Sequence, residues 1–172
     1  MQMRARKKVS ALLCITGTVL LVLVILLCIP VTLPRMMGYE IYAVVSGSME
    51  PEMPVGSLVY VKGEEAAEIA EGEVIAFYSS VDAGSVITHR VVENRVVSGE
   101  FITKGDANEK EDMLPVPYGN LIGRAVFTLP GAGVLSEMLA SGPGRVAAAC
   151  LIPAGILFSM AGGYLAKDRR EK

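Results

Sequence analysis

Two serines, two residues apart, stand beside a glycine and a proline in Val45-Ser46-Gly47-Ser48-Met49-Glu50-Pro51. In an extended segment, residues two apart point the same way, so Ser46 and Ser48 can face one site. Gly47 lets the backbone turn or approach closely, and Pro51 stops a helix or inner strand from running on. One hydroxyl can attack a carbonyl while its neighbour helps to hold the oxyanion. The same residues also fit a plain polar turn. A serine hydroxyl is a weak nucleophile until an adjacent base takes its proton. The chain has one histidine, His89, in Thr88-His89-Arg90-Val91-Val92, so a Ser–His mechanism must use it. The plain alternative for a lone strand histidine is a hydrogen-bonded core residue. A third group must orient the imidazole, and the run Thr103-Lys104-Gly105-Asp106-Ala107-Asn108-Glu109-Lys110-Glu111-Asp112 offers two aspartates for this. Glu109 and Glu111 read as solvated charges. The residues alone leave open which serine attacks and which aspartate orients. Lys62 and Lys104 are the alternative bases. One histidine and two aspartates lack the fixed ligand spacing of a metal helix such as HExxH, so neither a metal nor a cofactor is expected.

The elements that must position these groups read as short strands. Gly38 to Val45 leads as a strand into the serine motif, and Glu52-Met53-Pro54-Val55-Gly56 has turn chemistry. Ser57 to Lys62 is a short β-rich run, and the acidic, alanine-rich 63–71 segment reads as one or two helical turns. Val74 to Tyr78 is another strand. In Val86 to Glu93, Ile87, His89 and Val91 share one face, and Thr88, Arg90 and Val92 the other. Arg90 is therefore expected as a structural charge or a partner for the acidic loop. Residues 96–103 read as a hairpin or turn, 105–113 as a loop, and Leu121 to Leu129 as a last strand. The fold class expected is mostly β: a small antiparallel domain.

That domain lies between two apolar segments. Hydrophobic residues make up 52% of the 172-residue chain, concentrated at its two ends. Residues 9–34 carry no charge and exceed the roughly 20 residues that cross a hydrocarbon core. An uncleaved signal anchor is expected, because a cleaved signal peptide has an apolar core of only about 7–15 residues. A second uncharged run, Val146 to Ala166, follows Gly142-Pro143-Gly144, read as a breaker, and is expected to span again. The organisation expected is a basic tail (1–8), a first span (9–34), a β domain (35–144), a second span (145–166) and a tail (167–172). Arg4, Arg6, Lys7 and Lys8 precede the first span, and Lys167, Arg169, Arg170 and Lys172 follow the second. Positive residues favour the cytoplasmic side, which puts both ends inside and the middle outside. From Arg35 to Arg145 there are 8 basic and 16 acidic side chains, a net of −8; nucleic acid would require a basic face. Cys14, Cys28 and Cys150 all fall in the apolar spans, which argues against a disulfide or zinc framework in the middle.

With S-G-S-M-x-P, H-R-V, and K-G-D-x-N with an aspartate six residues after the first, the chain resembles a type I signal peptidase. It is most similar to the branch found in the endoplasmic reticulum, in archaea and in some bacteria, where histidine replaces a lysine base. The resemblance covers roughly Val44 to Phe127 plus the preceding anchor. It implies a small β structure with an active groove close to the membrane, Ser48 as nucleophile, His89 as base and Asp112 as the orienting acid. Asp106 would brace the site, and Ser46 with the Ser48 N–H would form the oxyanion hole. Met49, Pro51 and Met53 are expected as an apolar rim that meets the substrate and membrane, with ordinary core packing the alternative for either methionine. The function implied is a membrane-bound serine endopeptidase that cleaves signal peptides after a small-x-small site. Its partners would be signal-peptide-bearing preproteins and the bilayer, with accessory subunits left open. The rival readings are a dedicated processing protease with few clients and a non-catalytic membrane adaptor.

Overall fold

The computed structural model describes residues 2–82 and 84–167. The basic tail expected at 167–172 lies outside the described residues, except for Lys167. The chain divides into two compact units: Val31–Glu137, and the helical segments on either side of it.

The central unit is one seven-stranded antiparallel sheet, in agreement with the fold class read from the sequence. Its strands are β1 (Tyr39–Ala43), β2 (Leu58–Lys62), β3 (Val74–Tyr78), β4 (Val86–Arg95), β5 (Glu100–Lys104), β6 (Val116–Pro117) and β7 (Leu121–Leu129). They lie in the order β1-β2-β7-β3-β4-β5-β6. The last strand therefore inserts between β2 and β3, and β4 is flanked by β3 and β5. The 63–71 segment contributes only a 3₁₀ turn, Ala66–Glu68.

The core has two layers, and β3 shows why. Its run Val-Ile-Ala-Phe is apolar at every position, as in a strand covered on both faces. Val74 and Ala76 join Met49, Met53, Val59 and Val61 in one buried cluster. Ile75 and Phe77 join Ile69, Val91, Phe101 and Val116 in the other. Met49 and Met53 are 1% and 4% exposed. Of the two readings of these methionines, a rim that meets substrate or core packing, their burial fits the second: the Val74/Ala76 face needs an apolar cover, and they supply it. Pro51, between them, is exposed. The methionines thus anchor the segment that carries the serines.

Outside the sheet, α1 (Gln2–Met36) extends beyond the expected 9–34 span at both ends, and α3 (Gly142–Lys167) includes the second apolar run. Both are long and apolar enough to cross a membrane. The Gly142-Pro143-Gly144 group is the first turn of α3 rather than a break before it. Proline suits a first turn, where its missing N–H has no helical partner, and the Ser141 hydroxyl caps the Gly144 N–H at 3.1 Å. A further helix, α2 (Gly133–Ala140), lies inside the segment read as β domain. Small residues let α1 and α3 pack closely: Ser10 Oγ donates to Gly162 O at 2.8 Å. A methyl on Gly17 would come within 2.6 Å of Gly155 O.

Candidate active site

His89 sits mid-strand in β4, opposite Ile75 of β3, and is 9% exposed. Phe77 meets its ring edge-on, with centroids 6.3 Å apart. On the other side, β4 and β5 pair Arg90 with Lys104 and Val91 with Thr103. Continuing that register by one step brings Gly105 opposite His89. A Cβ on Gly105 would lie 2.7 Å from Ser48 O, 2.8 Å from Asn108 Nδ2 and 3.0 Å from His89 Nε2. A side chain has no room here, so Gly105 is where the serine segment, the histidine strand and the acidic loop converge.

The imidazole is held from its far side. Asp112 Oδ2 lies 2.6 Å from His89 Nδ1. An ionised carboxylate only accepts, so Nδ1 carries the proton and Nε2, on the Gly105 side, is left as the acceptor. Thr103 Oγ1 donates to the same Asp112 oxygen at 2.6 Å, and the Asp112 N–H donates to Thr103 O at 2.8 Å.

Asp106 goes elsewhere. Its two carboxylate oxygens accept from Arg90 Nε at 2.8 Å and from a terminal Arg90 nitrogen at 2.6 Å. Arg90 also donates to Gly72 O at 2.6 Å and to Glu52 Oε2 at 2.5 Å. The Asp106 hydrogen bonds hold the guanidinium well above its ordinary pKa, so Arg90 stays charged. The structure thus brings Asp112 to the histidine and Asp106 to the arginine on the opposite face of the same strand. Through Glu52 and Asp106, that arginine ties the turn after the serines to the acidic loop.

Ser48 is half-buried and Ser46 exposed, and their hydroxyl oxygens are 3.5 Å apart. The Ser48 carbonyl accepts from the Ala107 N–H at 2.9 Å, which fastens the serine segment to the acidic loop. Among the described residues, the Ser48 N–H takes no acceptor and Ser48 makes no hydrogen bond to His89. Apo catalytic hydrogen bonds are often long and tighten with substrate. A cleft of about 460 Å³ opens beside the histidine, lined by His89 and Asp112 together with Phe77, Ile87, Leu114 and Pro115. Val81 and Met113, also on its wall, are 82% and 98% exposed. No group of three or more potential metal ligands occurs among the described residues.

The sequence reading missed Thr103, Gly105 as a contact point, and the Glu52 arm of Arg90. The signal for the first two was strand pairing: Thr103 and Gly105 alternate with Lys104 on the side that faces His89.

No family model matches the chain. It is 41% identical over 98 residues to signal peptidase I W of Bacillus subtilis, covering 55% of this chain and 50% of that protein. It is 32% identical over 110 residues to the signal peptidase complex catalytic subunit SEC11C of Homo sapiens, covering 58% and 56%. A SEC11 catalytic subunit of Fusarium vanettenii is 30% identical over 112 residues, covering 60% and 65%. The chain is a relative of the type I signal peptidases. It is similar both to a bacterial signal peptidase I and to SEC11 catalytic subunits. The chain spans about half the length of the first two signal peptidases named here.

Proposed function

We propose that this chain is a membrane-bound serine endopeptidase that removes N-terminal signal peptides from exported proteins, cutting after a small-x-small site. The observation that carries the reading is the His89–Asp112 pair, whose free Nε2 faces the same glycine as the Ser48 backbone. Ser48 Oγ attacks the scissile carbonyl, and His89 Nε2 takes its proton and passes it to the leaving amine. Asp112 fixes the tautomer and stabilises the imidazolium. The Ser48 N–H, which has no acceptor among the described residues, and the Ser46 hydroxyl bind the oxyanion. Water, activated by the same imidazole, then releases the acyl group. Asp106, clamped by Arg90, braces the loop. The apolar cleft beside His89 supports an extended peptide as ligand, since such peptides combine backbone pairing with pockets for alternate side chains. The chain works as 35–144 outside the membrane, held by spans at 9–34 and 145–166 with basic ends inside, and acts on preproteins at the bilayer surface.

The test uses the full chain purified in detergent and a signal-peptide-bearing precursor. Ser48→Ala abolishes cleavage, whereas Ser46→Ala lowers kcat by roughly 10²–10³, as for loss of one oxyanion donor. An active Ser48→Ala with a dead Ser46→Ala would exchange the two roles. Full activity in both variants would remove the serine mechanism.

A further inference from the structure

The wholly buried Thr103 is the only other side chain that hydrogen-bonds the Asp112 carboxylate among the described residues. Its hydroxyl donates to Oδ2, the oxygen that also accepts from His89 Nδ1, each at 2.6 Å. The sheet does not require a hydroxyl there. Thr103 faces Val91 across the β4–β5 pair, and a valine of the same shape would fill the position. A buried hydroxyl is costly unless it is hydrogen-bonded, and this one spends its proton on Asp112. Two donors converging on one carboxylate oxygen fix the rotation of the group about its own side chain. The bond from the Asp112 N–H back to Thr103 O fixes its backbone as well.

We propose that Thr103 is a positioning residue for the reaction: its hydroxyl sets the orientation of Asp112, and through it that of the His89 imidazole. This rests on the serine-peptidase reading above. The neighbouring groups leave the role to Thr103. On β3, His89 meets the apolar Ile75 and Phe77. Arg90 and Asp106 are engaged with each other. Among the residues lining the cleft, His89 and Asp112 are the only titratable groups.

The experiment compares wild type, Thr103→Val, Thr103→Ser and Ser48→Ala as full chains in detergent. It measures kcat and KM on one signal-peptide substrate, and the Nδ1–H proton resonance of His89. That signal is isolated because the chain has a single histidine. Thr103→Val lowers kcat on the order of 10-fold or more, as expected for a hydrogen bond to a charged group, with KM little changed. It also moves the Nδ1–H resonance. Thr103→Ser, which keeps the donor, restores both. If Thr103→Val does not fold, Thr103→Ser against Thr103→Ala isolates the hydroxyl in the same two measurements. A wild-type kcat and an unmoved resonance in Thr103→Val overturn the proposal, as does a loss that serine does not restore. If wild type fails to cleave, or Ser48→Ala still cleaves, the peptidase reading falls. The resonance alone then decides whether Thr103 orients the pair.

Discussion

Replacing Gly105 with alanine tests the convergence of the site at one backbone position. The added methyl would sit 2.7 Å from the Ser48 carbonyl oxygen and 3.0 Å from His89 Nε2, where ordinary contact begins at 3.4 Å. The shortfalls are thus about 0.7 Å and 0.4 Å. The Ser48 oxygen belongs to the backbone and cannot rotate aside, so the serine segment itself must move away from the histidine. Misplacing reacting groups by about 1 Å can cost roughly 10²-fold, so a loss of roughly 10- to 100-fold in kcat is expected. Overpacking of this kind also costs about 1–3 kcal/mol, and each kcal/mol lowers the Tm of a domain near this size by about 4–8 °C. The assay is precursor cleavage and thermal melting of the detergent-solubilised chain. Gly63→Ala is the control, since nothing lies within 4 Å of a Cβ there. Wild-type values for both kcat and Tm in Gly105→Ala would refute the geometry. A lowered Tm with unchanged kcat would show that the strain does not reach the serine hydroxyl.

The two aspartates separate by the size of the loss. Asp112→Asn takes the charge from the group that holds His89 Nδ1 and cuts kcat sharply, while Asp106→Asn weakens the Arg90 clamp and lowers stability or activity to a smaller extent. The reverse pattern would exchange their roles. Topology is read with fused reporters: one after Lys172 is cytoplasmic, and one inserted near Gly84 is external. A C-terminal reporter found outside would remove the second span and leave the catalytic reading standing.

The sheet was legible wherever its strands carry β-rich runs bounded by Gly, Pro or Ser, as at 57–62, 74–78 and 121–129. Two elements escaped for physical reasons. The strand Val116–Pro117 has two residues, too few for any alternation to show, and exists only because Phe101 and Glu100 offer an edge to pair with. Helix Gly133–Ala140 has eight residues, barely two turns, so its apolar residues merge with those of the following run. The burial of Met49 and Met53 was legible in principle. An uninterrupted Val-Ile-Ala-Phe strand demands cover on both faces, and the apolar turn after the serines was the nearest unassigned cover.

The assignment of the acids was not legible from spacing, since Asp106 and Asp112 stand six positions apart in one acidic run and nothing local chooses between them. Strand register distinguishes them. Arg90 opposite Lys104 and Val91 opposite Thr103 put alternate residues of the acidic run on alternate faces. Thr103 and Gly105 fall on the side of His89, and Asp106 falls on the side of Arg90. Asp112 reaches the histidine because its N–H bonds back to Thr103, which folds the intervening loop onto the end of β5. That register is itself displaced by a bulge between Val91 and Glu93, which strict alternation along the strand does not show. A slip of one residue in the pairing would have handed Asp106 to the imidazole and left Arg90 without its clamp.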